Sequence, residues 1–193
     1  GGHATALDPA RDVLVNVNAL GQPVPSARFM GGREFEILRD GIDAVPTAAE
    51  RLAVLDRGVM ILPAVEPGSG PFAGRAMRWT ATPASDGERM AAIAHYLALM
   101  TDTCLALIGA AGPVVVEGPF ARNPDFLDML ASLRPVEVAA SATGTSAGAA
   151  LLCAGRVAAP ETRAIPVPAT ATALSSHARA WQSLTDQGSH RCG

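Results

Sequence analysis

Between Val114 and Leu133 the chain reads VVVEGPFARNPDFLDMLASL, and this stretch limits the choice of fold more than any other. Three valines form a short apolar run that stops at Glu117, Gly118 and Pro119, and a segment with apolar residues at helical spacing begins at Asn123 and Pro124. A brief apolar run bounded by turn formers reads as a strand. Pro124 falls at the first helical position, where its missing N–H costs nothing. Strand, tight corner and helix in so few residues are the repeating unit of an α/β layer fold.

The same alternation extends in both directions. Upstream, DVLVNVNAL (Asp12 to Leu20) has the period of two expected of a half-buried strand, and GQPVPS is expected to turn the chain. GREFEILRD (Gly32 to Asp40) brings Phe35 and Leu38 to one helical face and stops before Gly41, the expected C-cap. TAAERLAVLDRG opens with Thr47 and Glu50, the spacing of a capping box, and ends at Gly58. VMILPAV (Val59 to Val65) is expected as a buried strand, and EPGSGPFAGR as a surface loop. Asp86 is expected to cap the longest helix, with Met90, Ile93, Leu97, Met100, Cys104, Leu107 and Ile108 on one stripe.

Beyond the opening stretch, VEVAAS reads as strand and TSAGAALLCAG as helix. After Gly155 the periodicity fades into APETRAIPVPATATALSS, expected as a Pro- and Ala-rich tail over residues 159–193 with a short terminal helix near HARAWQSLTD. Residues 1–158 are then the folded domain. Strands joined to helices by short loops predict an α/β domain with a central mixed sheet, built from the early strand, Val59 to Val65, Pro113 to Glu117 and Val136 to Ala140. Turns at Gly118 and Gly144 would set two helix N-termini at one sheet edge, a place suited to an anionic or polar ligand.

Composition removes several functions. Hydrophobic residues make up 49% of the 193-residue chain and charged ones 17%, so a buried core is within reach and disorder is not expected. All 15 basic residues are Arg. Without Lys there is neither a Walker-type phosphate loop nor a Schiff-base amine. The arginines are scattered and the net charge is -3, which argues against a nucleic-acid partner. Cys104, Cys153 and Cys192 lack the spacing of a zinc site or a disulfide framework, and are expected as buried reduced thiols of a cytoplasmic protein. No run is expected to cross a membrane, His95 is expected to pack in the core, and no metal-ligating spacing occurs among His3, His177 and His190. The Ser, His and Asp residues lack the context of a nucleophile elbow.

FMGGREFEILRDG, VVVEGPFARNPDFLDMLASL and TGTSAGAALLCAG, in this order over Phe29 to Gly155, resemble the C-terminal half of the FGGY carbohydrate kinases. That resemblance implies a ribonuclease-H-like, actin-like ATPase domain. It also implies transfer of the γ-phosphoryl group of ATP, with Mg2+, to a sugar hydroxyl of a ketose, deoxyketose or polyol. In the glycerol-kinase branch a Gly and a Gln four residues on contact the nucleotide; the matching positions are Gly32 and Glu36. A Gly-Gly turn and an Asn in that branch lie against the adenosine; the matching positions are Gly118, Pro119 and Asn123.

Two departures stand out. Pro119 replaces a Gly and stiffens the corner, while Glu36 replaces a Gln and, as a carboxylate, suits ribose hydroxyls rather than phosphate. Ala147 to Ala150 match a small-residue helix beside the same pocket, and Arg33 is read as a phosphate grip or a surface ion-pair partner. The family's catalytic Asp and first phosphate turn belong to its N-terminal half, so no catalytic residue and no metal ligand is expected in this chain. An N-terminal kinase domain is the expected partner, with Mg2+ held mainly by it; homo-oligomerisation is left open. The alternative is an inactive actin-like nucleotide-binding or interaction module.

Overall fold

The computed structural model describes residues 7–18, 20–140, 150, 153 and 161–187. Its hub is a 22-residue helix, Asp86–Leu107. Ser85, rather than Asp86, is the N-cap: its Oγ accepts from the Glu88 N–H at 3.2 Å, leaving Asp86 in the first turn beside the positive helix end. Every residue from Ala91 to Met100 is buried, where a single stripe was expected. By length and composition alone this helix is long and apolar enough to cross a membrane, but most of it is buried inside the protein. It is enclosed by three other helices, Gly31–Arg39, Ala48–Asp56 and Pro124–Ala131, and by the strand Ile61–Leu62. Ala91, Ala92, Ala94 and Ala98, each no more than 1% exposed, leave room for those neighbours. Truncating Leu97 to Ala in so closed a place would cost about 2–5 kcal/mol.

In chain order the helices are α1 (Gly31–Arg39), α2 (Ala48–Asp56), α3 (Asp86–Leu107), α4 (Pro124–Ala131) and α5 (Ala171–Gln187). Helix α1 ends one residue before the expected cap, since Asp40 is left-handed at φ 51° and Gly41 follows at φ 78°. Helix α2 has the expected capping box: Thr47 Oγ1 accepts from the Glu50 N–H at 3.3 Å, and the Glu50 carboxylate accepts from the Thr47 N–H at 2.8 Å.

The strands are β1 (Val13–Val17), β2 (Pro23–Ala27), β3 (Ile61–Leu62), β4 (Arg78–Trp79), β5 (Val114–Val116), β6 (Val136–Ala139) and β7 (Thr162–Ile165). A mixed sheet runs β5-β6-β7. Strands β5 and β6 are parallel, with Val114 opposite Val136, and β7 is antiparallel to β6, with Val136 opposite Ile165. The crossover from β5 to β6 passes through α4, as parallel neighbours require. Strand β6 buries Val136 and Val138 while Glu137 and Ala139 stay half-exposed, the alternation of a one-sided sheet.

The early strand and Ile61–Leu62 do not join this sheet. Strand β1 pairs antiparallel with β2, where GQPVPS was expected only to turn, and β3 pairs with β4. The turn is confined to residues 18–22, where Asn18 Oδ1 accepts from the Leu20 and Gln22 N–H groups at 2.9 and 3.0 Å. Prolines are admissible in β2 because a two-stranded ladder is all edge.

Two further expectations are corrected. The loop EPGSGPFAGR is not wholly at the surface: Gly70, Pro71 and Phe72 are buried. Asp12 accepts from the Gly70 N–H at 2.7 Å, and Arg11 donates to the Pro71 carbonyl at 3.1 Å. The segment read as a tail supplies β7 and the 17-residue α5. Leu174, Ala178 and Trp181 form its buried face; Trp181 is 1% exposed and donates to the Ile61 carbonyl at 2.7 Å. Its indole meets Phe72 edge to face at 5.8 Å. Cys104 is buried and Cys153 exposed, both as free thiols.

Candidate nucleotide cleft

Strands β5 and β6 point their carboxyl ends the same way, and beyond those ends lies a cleft of about 380 Å³. In open α/β sheets ligands settle in such a place, because the parallel strands diverge into loops there and helix N-termini face it. Glu117, Gly118 and Arg122 line one wall, and Val138, Ala140 and Arg163 line the other.

Gly118 sets the shape of the first wall. Its φ of 77° and ψ of -157° lie in a region that essentially only glycine occupies. A Cβ built there would meet nothing within 4 Å, so the peptide plane presents an open face to the cleft. Pro119 then starts a 3-10 turn, Pro119–Arg122, which delivers Asn123 as the N-cap of α4. Asn123 Oδ1 is committed to the Phe126 N–H at 3.1 Å, which leaves the side-chain NH₂ as its uncommitted group; neither Asn123 nor Pro119 is among the residues lining the cleft, which they border through Gly118 and Arg122.

Arg122 and Arg163 carry the cleft's positive charge. Among the described residues neither guanidinium makes an ion pair or hydrogen bond, and both are exposed. Neither was singled out in the sequence. Arg122 is the residue before Asn123, and Arg163 lies in β7, which Pro and Ala on either side disguised as tail. Register puts it beside the site, since Arg163 is opposite Val138.

Gly32 and Glu36 sit on exposed positions of α1 and do not line the cleft. Helix α1 nevertheless reaches the same corner of the molecule. Phe35 meets Phe120 edge to face at 5.7 Å, and Phe120 leans on Phe126 at 5.3 Å. Glu36 pairs with Arg39 at 2.7 Å, and Arg33 with Glu66 at 2.7 Å, so Arg33 is an ion-pair partner here.

Between Arg33 and Phe35 lies a residue that the sequence analysis passed over. Glu34 is 0% exposed, accepts from the Tyr96 hydroxyl at 2.8 Å and from the Glu66 N–H at 3.2 Å. Burial raises its carboxyl above the ordinary carboxylate range, against the pull of those hydrogen bonds. It fixes the start of α1 to α3 and to the chain entering the 66–74 loop. No simple pattern marks it, since a Glu in a helix usually faces water.

Among the described residues no group of three or more His, Cys, Asp or Glu side chains could hold a metal ion. Gly144 and Ala147 to Ala149 lie outside the described residues, as do His3, His190 and Cys192.

Comparison with known proteins gives this geometry a context. The family model described as "Carbohydrate kinase FGGY, C-terminal domain" matches residues 1–162. A carbohydrate kinase from Novosphingobium aromaticivorans superposes at a TM-score of 0.80 and 40% identity, over 93% of this chain and 42% of that one. A xylulose kinase from Rhodospirillum rubrum superposes at a TM-score of 0.59 and 18% identity, over 95% of this chain and 43% of that one; this second likeness is one of fold alone. The chain therefore spans less than half the length of either kinase. No curated protein sequence matches it.

Proposed function

Since the chain belongs to the FGGY carbohydrate kinases, as a C-terminal domain of that family, we propose that it holds the nucleotide in a kinase that phosphorylates a sugar hydroxyl. The observation that carries this reading is the cleft beyond β5 and β6, with an open glycine face on one side and two uncommitted arginines on its walls. A flat base can lie against the Gly118 peptide, and planar guanidinium forks suit phosphate oxygens. ATP, when bound, supplies the transferable phosphoryl group.

Each residue of the chain then has a part. Arg122 and Arg163 bind the phosphates and spread their charge. Asn123 donates from its NH₂ to the nucleotide while its Oδ1 keeps α4 capped. Pro119 holds the corner rigid. Gly32 and Glu36 lie outside the cleft on the exposed face of α1 and serve a nucleotide that extends past its edge, Glu36 toward the ribose hydroxyls once released from Arg39. Among the described residues the one carboxylate on the cleft wall is Glu117, so Mg2+ and the base that takes the sugar proton are assigned to the rest of the kinase. The sugar is a ketose, deoxyketose or polyol, and the kinase is cytoplasmic.

Asn123→Asp separates binding from folding, because Asp caps a helix as well as Asn does but has no N–H to give. We expect adenine nucleotide binding, measured by calorimetry, to fall in Asn123→Asp, Arg122→Ala and Arg163→Ala while thermal stability is kept. Undiminished binding in all three rejects this cleft. Positioning and general-base catalysis dominate phosphoryl transfer, so these 193 residues alone should show no ADP release over a panel of ketoses and polyols. Robust turnover would place the catalytic base inside the chain.

A further inference from the structure

A second cavity, of about 250 Å³, opens between α2, α3, α4 and α5. It is separate from the cleft at Gly118, sharing no lining residue with it. Its walls are mostly apolar: Leu52 and Leu55 from α2 and Leu174 from α5. Three polar features are set into them. Arg51 and Asp125 form a two-bond ion pair, Nε to Oδ1 and Nη2 to Oδ2, the latter at 3.2 Å. His95, 4% exposed, also lines the cavity, and its Nδ1 is buried with no hydrogen-bond partner. Asp128 is the third, and among the described residues nothing donates to its carboxylate or pairs with it.

Charge and chemistry decide what such a cavity takes. Arg51 and Asp125 cancel each other, so Asp128 leaves the walls one negative charge in excess. Burial and the neighbouring Asp125 both raise the Asp128 carboxyl above its ordinary range, with Arg51 acting the other way, which is the mark of a carboxylate short of a cation. His95 is neutral at physiological pH, burial having pushed it down to about 3, so one of its ring nitrogens is an acceptor. A neutral acceptor, an unpaired carboxylate and leucine walls complement a protonated amine on an apolar body.

We propose that the cavity between α2, α4 and α5 is a binding site for a small apolar primary amine, its ammonium held by Asp128 and His95 and its hydrocarbon packed on Leu52, Leu55 and Leu174. This assignment does not depend on the nucleotide reading. An anion would meet two carboxylates, and a neutral alcohol would leave Asp128 without its counter-ion.

Cyclohexylamine, cyclohexanol and cyclohexanecarboxylate share one ring and differ only in the head group. Titrated into the chain at pH 7.5 and followed by amide chemical shifts, cyclohexylamine should saturate with shifts centred on α2 and α4. Cyclohexanol should bind at least about tenfold more weakly, as expected for loss of a hydrogen bond to a charged group, and the carboxylate should not bind. Asp128→Asn keeps the shape of a half-exposed side chain and should bring the amine down to the level of the alcohol. Leu52→Trp, at an exposed edge, should block both the amine and the alcohol. Equal affinity for amine and alcohol, amine binding undiminished by either substitution, or no amine binding at all would each overturn the proposal.

Discussion

Acid should unfold this protein through two buried histidines. His95 on α3 and His177 on α5 are 4% and 5% exposed and stack edge to face at 5.5 Å, each with an unpartnered Nδ1. Burial, then His177, then Arg51 push His95 down from 6.5 to about 3; burial takes His177 to about 4. Both folded values are depressed. The stability of the neutral pair is therefore whole above 6.5 and is lost as the pH falls from 6.5 toward those values. At pH 5 the folded rings are still neutral while the unfolded ones are charged, which costs about 2 kcal/mol for each ring and about 4 kcal/mol for the pair relative to pH 8. Glu34 and Asp128, both raised, act in the opposite sense, since their contribution is full in acid and fades as the pH rises through their folded values. A substitution that removes one imidazole isolates its share. Urea unfolding followed by tryptophan fluorescence at pH 8, 7, 6 and 5 should show an uptake of about two protons near pH 5, reduced to about one in His95→Phe and in His177→Phe. A flat profile, or a slope indifferent to both substitutions, would falsify the account of a buried neutral pair.

Other perturbations follow from the packing. Trp181→Ala removes a 1%-exposed indole and its 2.7 Å bond to Ile61, so it should cost about 3–5 kcal/mol in urea unfolding; a loss under 1 kcal/mol would mean α5 is not part of the core. Asn123→Ala strips the N-cap from α4 and should cost about 1 kcal/mol without any ligand present, whereas Asn123→Asp should cost nothing measurable in the same melt. Removing Arg51 strands Asp125, which is 6% exposed. Because Arg51 itself is about one-third exposed, Arg51→Met should cost nearer 2 than the 3–5 kcal/mol of a wholly buried pair, read as a drop in melting temperature that Asp125→Asn in the same chain partly restores.

Much of this protein was legible from local chemistry. The corner from Val114 to Leu133 announced strand, turn and helix because each signal there acts within a few residues: a turn glycine, a proline with no N–H to lose, and an Asn at a helix start. The capping box at Thr47 and Glu50 was readable for the same reason. So was the membership in a kinase family, since three motifs in register carry more information than any one of them. That Gly118 stands at a turn is written in the sequence; that its backbone takes a conformation reserved for glycine is known only from the structure.

What the tertiary structure decided are matters of partners distant in the chain. Residues 162–187 have weak periodicity of their own, and become β7 and α5 because β6 offers an open edge and the Ile61 carbonyl a bond to Trp181. The two-stranded pairings of β1 and β3 depend on which edge each meets, which alternation alone does not specify. Glu34 is buried against expectation because Tyr96, 62 positions away, supplies the hydrogen bond that makes burial tolerable. Arg122 and Arg163 share a cleft only through the register of β6 with β7. Short-range rules fix the shape of each piece; the cost of leaving a strand edge, a carboxylate or an indole unpaired fixes how the pieces come together, and that cost is set by neighbours the linear sequence does not place side by side.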